Sequence, residues 1–395
     1  MHFSKVKSEP DYQPKIDLAY KVLTRISNHS WEYGTLGELI LEREHDGELS
    51  VFARGASLPP STKPKSKLWH PQPLFDLVDP ILARRAPNAK TIIEADGAAG
   101  DPASLGVALH VLADSVKRAN AVPKYDYRAI SDEQYDYLVN KVPKDKDGAI
   151  SQRETEVQYW SDFVYMVPPF LAWTGAISSD FSILENSYRQ CLLYRKRLID
   201  PNGSGTWRHI LGGSWNETGL WSTGNGWAAM GMMRVRQTME AVSDPDLKHK
   251  LSGMKADLEK WMCEIIAGAF KFQSATSKLL PNYYDKKPTD TFDEVSGTAL
   301  IAATAYRLVT LNPEHTQNLP MAQIDQSRKK ILQEHIDPKT GGVSPVVPPL
   351  EWLAKKPFDG TEGKQSPEGQ AFVIFLHLAW KNSVSSTASR RRVRL

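Results

Sequence analysis

Apolar positions along this chain recur mainly at helical spacing. Windows such as PKIDLAYKVLTRIS (14–27), DFSILENSYRQCLLYRKRLI (180–199) and KLSGMKADLEKWMCEIIAGAFKF (250–272) carry one apolar stripe and a charged opposite face. Runs of β-branched residues with strict alternation do not recur. The segments between helical windows are marked by proline and glycine: SLPPSTKPKSK, IDPNGSG, KKPTD and DPKTGGVSPVVPP. The pattern predicts an all-α protein.

A second kind of helical window is rich in alanine, glycine and serine, nearly uncharged, and opens on a polar or aromatic cluster. Six such openings stand near Trp31, Asp101, Asp162, Trp221, Glu294 and Ser366. Successive openings are roughly 60 to 70 residues apart, a quasi-repeat of helix pairs too degenerate for a short solenoid repeat. A helix of small and apolar residues on every side is buried, whereas a charge-laced one lies outside. Six of each make an (α/α)6 barrel of six helical hairpins, with the polar openings converging at one end as a pocket. An irregular helical bundle, in which they do not converge, is the competing arrangement. The barrel is expected over residues 12–383, followed by a disordered basic tail, 384–395, around SSTASRRRVRL.

Composition narrows the function. With 49 Lys plus Arg against 46 Asp plus Glu, the net charge is +3, which gives no reason to invoke nucleic acid or an anionic membrane. The two cysteines, Cys191 and Cys263, are too few for a disulfide framework and lie in no zinc-binding spacing. No apolar run is long enough to span a bilayer, and MHFSKVKSEPDYQPK has no apolar leader core, so a cytoplasmic location is expected.

The chemistry-bearing residues cluster at the six openings. Asp101 and Asp162 begin consecutive inner helices. Trp207 and His209 stand in GTWRHILGGSW, in the loop entering the fourth inner helix; Trp221, Asn225 and Trp227 follow in WSTGNGW, then Glu294 and Ser296. Two carboxylates, indole platforms and an imidazole describe a carbohydrate site. Indole faces stack on sugar C–H faces, and carboxylates serve as acid and base. Asp101 before Pro-Ala-Ser also reads as a helix N-cap. Asp162 stands in YWSDFVYMVPPF, where an ionised carboxylate is expensive. That setting suits a proton donor, or else a buried aspartate held by backbone amides.

The segments DFVYMVPPFLAWTG, WRHI…GLWSTGNGWAAMGMM, EVSGTALIAATAY and SPEGQAFVIFLHLA resemble the successive motifs of glycoside hydrolase family 105, the unsaturated rhamnogalacturonyl hydrolases. The related unsaturated glucuronyl hydrolases share the plan. The resemblance runs from about Trp31 to Lys381 and implies the (α/α)6 barrel. It implies removal of a 4,5-unsaturated uronic acid from pectin-derived oligosaccharides by hydration of its C4–C5 double bond, with Asp162 as acid and then base. Asp101, or Asp96 in its place, would be the second carboxylate. His209 would lie beside the sugar with Trp221 and Trp227 as stacking pair, and Trp31, Trp207, Asn225 and Glu294 are further candidates for substrate contact. The chemistry needs no metal or organic cofactor; the expected partner is the oligosaccharide alone, bound by a monomer or homodimer. One departure bears on substrate. The family pattern W-x-R-G-N-G-W has an arginine where Thr223 stands here, and an arginine pairs with a uronate carboxylate as threonine does not. Arg208 is a nearby candidate to replace it. A silent sugar-binding protein, or an enzyme for a different glycoside or metabolite, are the alternatives.

Overall fold

The computed structural model describes residues 9–59, 71–95 and 97–393, without the side chains of 45–46 and 387–393. Charge-laced and small-residue helices alternate along it. Helices α1 (Gln13–Ile26) and α2 (Ser30–Arg43) form the first hairpin, and α3 (Gln72–Leu82) pairs with α4 (Gly106–Ala119). A 3-10 turn, Asp101–Leu105, leads into α4. Next come α5 (Tyr127–Asn140) and a broken inner helix, α6 (Phe163–Met166) and α7 (Pro168–Ser178), interrupted where Pro168 and Pro169 withhold backbone donors. Helix α8 (Phe181–Leu198) precedes α9 (Ser222–Ala241). After the short α10 (Pro245–Lys250), α11 (Ser252–Ala269) pairs with α12 (Val295–Leu311), and α13 (Met321–Glu334) with α14 (Pro367–Val393).

The second helices of the six hairpins make a closed ring. Helix α2 packs on α4, α4 on α7, α7 on α9, α9 on α12, α12 on α14, and α14 back on α2. The first helices cover them: α8 lies across α7 and α9, α11 across α9 and α12, α13 across α12 and α14. This is the (α/α)6 barrel. Small residues set how closely the ring closes. A Cβ at Gly231 of α9 would stand 2.1 Å from the Val164 carbonyl oxygen, and one at Gly297 of α12 would stand 2.7 Å from the Thr223 backbone nitrogen. Outer helices start on ordinary caps, such as Asp180 accepting from the Ser182 and Ile183 amides ahead of α8.

Helix α14 runs from Pro367 to Val393 and so takes in most of the segment expected as a basic tail. Once a helix is anchored by a buried first half, adding alanine- and arginine-containing turns is cheap, and cations at a helix C-terminus suit its dipole. Among the described residues, no helix is long and apolar enough to cross a membrane.

Inside the ring, away from the helix starts, two ion pairs cross the barrel. Arg234 of α9 donates to Glu38 of α2 at 2.7 Å and to the Tyr165 carbonyl at 3.2 Å. Arg307 of α12 pairs with Glu42 of α2, its guanidinium carbon 3.5 Å from the centre of the Phe52 ring. Burial, with the Glu38 charge adding to it, pushes the Glu42 carboxyl up to about 7 against the pull of Arg307. Replacing one partner strands buried charge. Arg234→Met should cost about 3–5 kcal/mol in urea unfolding, and adding Glu38→Gln should recover part of it. Unchanged stability in the single variant would show that the pair does not hold the ring.

Candidate active site

The six inner helices start at the same end of the ring, and a cavity of about 340 Å³ opens there. Its wall includes Trp31 at the start of α2, Asp101 before α4, Asp162 before α6, Trp221 before α9 and Glu368 in the first turn of α14. A small antiparallel ribbon brings the chemistry in. Strand β1 (Gln158–Trp160) pairs with β2 (Ile210–Gly212), Trp160 opposite Ile210, and the Ser161 amide donates to the His209 carbonyl at 2.9 Å. Asp162 and His209, distant in sequence, are thereby set side by side. A second ribbon, β3 (Leu280–Pro281) with β4 (Asp293–Glu294), leads into α12.

Asp162 occupies the N-cap position of α6 but makes no side-chain capping bond. Its carboxylate instead accepts from the Ser161 hydroxyl at 3.0 Å and lies 3.4 Å from His209 Nε2. Its surroundings are therefore more polar than its apolar sequence neighbours suggest. The His209–Asp162 approach is a charge contact rather than an aligned hydrogen bond, since Nε2 has no hydrogen-bond partner among the described residues. The other ring nitrogen, Nδ1, is 3.1 Å from Glu217 Oε2. Glu217 also accepts from the Tyr283 hydroxyl at 2.7 Å and the Gly219 amide at 2.9 Å.

A carboxylate can only accept, so Nδ1 carries the proton toward Glu217. Nε2 then faces the Asp162 carboxyl across 3.4 Å. Burial works against the charged imidazole, but contacts with Asp162 and Glu217 outweigh it and raise His209 above its ordinary range. Burial likewise opposes Glu217 ionisation, and the contacts with His209 and Tyr283 override it, holding this carboxyl below its ordinary value.

Asp101 also makes no capping bond, so the N-cap reading of this residue does not hold. Its Oδ1 accepts from the Gln152 amide at 2.7 Å. Burial, reinforced by the Asp162 charge, pushes Asp101 up to about 6 against the Gln152 hydrogen bond. Glu368 is a third carboxyl on the wall. It accepts from the Trp31 indole at 2.7 Å and from the Ser366 hydroxyl at 2.9 Å, and so ties the last inner helix to the first. Burial and the neighbouring Glu32 charge hold it at about 7.

The expected site residues thus divide. Asp101, Asp162, His209, Trp221, Trp227 and Trp31 line the cavity. Trp207, Thr223, Asn225 and Glu294 do not. Trp207 is fully buried; Asn225 grips its backbone, accepting from the Trp207 amide at 2.8 Å and donating to its carbonyl at 3.0 Å. Glu294 caps α12 through the Ser296 and Gly297 amides, Ser296 being buried with it. Thr223 faces the packed interior. Arg208 donates to the Arg197 carbonyl at 2.8 Å and is not on the wall, and Asp96 lies outside the described residues.

Trp221 and Trp227 are only 5% and 2% exposed, so they back the cavity rather than offering two open faces. Trp221 is fixed by its indole N–H to Asn282 at 2.8 Å, and Trp227 packs on Tyr165 and Phe372. The more open indoles are Trp31, Trp160 and Trp352, the last two edge-to-face at 5.7 Å. Glu217, Trp160, Trp352, Glu368 and Arg153 were not anticipated. Trp160 and Glu368 lie within segments already notable for their motifs, two residues from Asp162 and Ser366. Trp352 comes from an irregular proline-rich loop with no periodic signal.

Two measurements test the electrostatics. Glu217→Gln should shift the NMR titration midpoint of His209 to lower pH; an unchanged midpoint would mean that Glu217 does not sustain its charge. For Asp101 the folded value of about 6 exceeds the ordinary 3.8. Its stabilising contribution is therefore complete below the unfolded value and is lost as pH rises through the folded one. The melting temperature of Asp101→Asn relative to wild type should climb between about pH 4 and 7 and level off above. A constant offset would contradict that placement.

Comparison with known proteins agrees with this arrangement. A family model described as Glycosyl Hydrolase Family 88 matches residues 107–338, more than half of the chain. No curated protein matches it. Among solved structures, a possible member of the GH105 family from Klebsiella pneumoniae aligns with TM-score 0.69 at 16% identity, covering 97% of each chain. A possible member of the same family from Salmonella enterica aligns with TM-score 0.67 at 15% identity, covering 97% of this chain and 98% of the other. A family 105 glycoside hydrolase from C. acetobutylicum gives 0.63 at 17% identity, over 94% and 99%. At these identities the structures establish the fold alone, and the family model establishes the family. This chain belongs to Glycosyl Hydrolase Family 88, among the six-hairpin glycosidases of families 88 and 105, and is a glycoside hydrolase.

Proposed function

We propose that the protein removes a 4,5-unsaturated uronic acid from pectin-derived oligosaccharides by hydrating the C4–C5 double bond. The observation that carries this reading is Asp162, open to the cavity and backed by the His209–Glu217 pair. The unsaturated sugar is a vinyl ether. Asp162 in its protonated form gives its proton to C4, and the resulting positive charge is shared between C5 and the ring oxygen. Water then attacks C5 while the Asp162 carboxylate takes one of its protons, so a single group serves both steps. The product is a hemiketal at C5. It opens to a keto group, and the C1 linkage collapses to release the next sugar.

His209 fits this cycle as the charged neighbour of Asp162, and Glu217 fixes the ring orientation. The chamber takes its aromatic walls from Trp31, Trp160 and Trp352. A second reading is favoured by one observation. Asp101, pushed up to about 6 beside Asp162, also makes an acid–base pair suited to direct cleavage of an ordinary glycoside.

The test is turnover of an unsaturated galacturonyl-rhamnose disaccharide, followed as loss of the ultraviolet absorbance of its conjugated double bond. Wild type should turn it over. Asp162→Asn should be slower by at least about 100-fold, by the usual worth of a positioned acid, with unchanged circular dichroism. A folded wild-type protein that leaves the absorbance intact would remove this reading and favour the second.

A further inference from the structure

One buried amide holds two indoles at the edge of the cavity. Gln158 of β1 is fully buried, and its Oε1 accepts from the Trp160 indole N–H at 2.7 Å. Its Nε2 donates to the Trp215 carbonyl at 2.8 Å and to the Gly212 carbonyl at 3.2 Å. Trp160 lines the cavity, whereas Trp215 stands outside its wall and is 43% exposed. We propose that Trp215 is an outer binding position, on which a sugar of the chain beyond those held in the cavity stacks by its apolar face. The inference rests on reading the ligand as an oligosaccharide whose unsaturated end enters the cavity.

Trp215 is exposed but firmly held. Gly212 and Gly213, at φ +85° and +67°, turn the chain sharply out of β2. The Gly212 amide donates to the Asn216 side chain at 2.7 Å. Ser214 donates to Glu156 twice, through its amide at 2.6 Å and its hydroxyl at 3.0 Å. Two residues after the indole, Glu217 is fixed by His209 and Tyr283. A side chain presented on a loop tied on both sides loses little freedom when a ligand covers it, so more of the contact energy survives as affinity.

Trp160 connects this position to the chemistry. Its ring meets those of His209, Trp215 and Trp352 nearly at right angles, with centroids 5.7 Å apart in each case. A perpendicular neighbour covers at most one face of an indole, which leaves Trp215 a face for a ligand. Leu350 lines the cavity and is itself 59% exposed, so it marks the mouth, and Trp352 follows two residues later. Sugars that the cavity does not enclose leave past this apolar edge. The C–H face of a pyranose laid on an open indole removes apolar surface from water while its hydroxyls stay solvated at the rim. The position therefore rewards chain length rather than charge.

The experiment compares binding of the unsaturated galacturonyl-rhamnose disaccharide with that of the tetrasaccharide carrying one further galacturonyl-rhamnose unit. Calorimetry is done in the Asp162→Asn protein, where turnover is blocked. The tetrasaccharide should bind more tightly. Adding Trp215→Ala should weaken it by about 3- to 10-fold, the usual worth of an aromatic stacking contact, while changing the disaccharide by less than about 2-fold. Trp215→Tyr, which keeps an aromatic face, should recover part of the loss. Equal weakening of both ligands by Trp215→Ala would show that the indole only shapes the Trp160 side of the cavity, and overturns the proposal. So does a parent protein that binds the two equally or binds neither. Absent turnover in the wild type, with the gain from chain length intact and dependent on Trp215, would instead retire the hydration reading and leave this one standing.

Discussion

Everything at the site depends on one constraint: the six inner helices start at the same end of a closed ring. Each helix start presents unpaired backbone N–H groups and the positive end of a dipole, which must be met by acceptors. Some acidic residues there are consumed by this demand. Glu294 accepts from the Ser296 and Gly297 amides, and Glu32 from those of Asn28 and His29. Asp101, Asp162 and Glu368 accept instead from side chains of Gln152, Ser161 and Trp31. Those carboxyls line the cavity, and the two groups differ in function because their lone pairs are directed differently.

The far half of the ring supplies the rigidity that such placement needs. Glu38 and Glu42 on α2 reach across the interior to Arg234 and Arg307, joining helices that are not ring neighbours. Buried pairs of this kind add little net stability over apolar packing, but removing one partner leaves an uncompensated buried charge and is costly. Glycines at 231 and 297 let the backbones approach closely, so the starts of α6, α9 and α12 are held at nearly fixed spacing. Glu217, His209 and Asp162 are brought together by the β1–β2 ribbon.

Much of this was legible in the sequence, for physical reasons that also explain the failures. Two helix compositions at a regular long spacing give a ring and its cover, because the difference between them is a difference in burial. Asp162 and His209 stood out as polar residues in apolar or aromatic company. Position near a helix start was less informative than it looked. Asn225, in a conspicuous Gly-Asn-Gly, proved to be a clasp on the Trp207 backbone, and Glu294 a cap. Sequence shows that such residues meet at one end of the barrel, but not which way each side chain turns. Glu217, in the polar stretch NETG, acts only through the imidazole it touches, and that contact depends on β1–β2 pairing.

The most direct test of the account is to run the reaction in heavy water and examine the released sugar acid by NMR. Hydration initiated by Asp162 places a solvent-derived hydrogen on C4, so the product should carry one deuterium there for every turnover. Release of the sugar with its C4–C5 double bond intact and no deuterium on carbon would contradict the account, because it would mean that the enzyme cleaves the glycosidic bond directly.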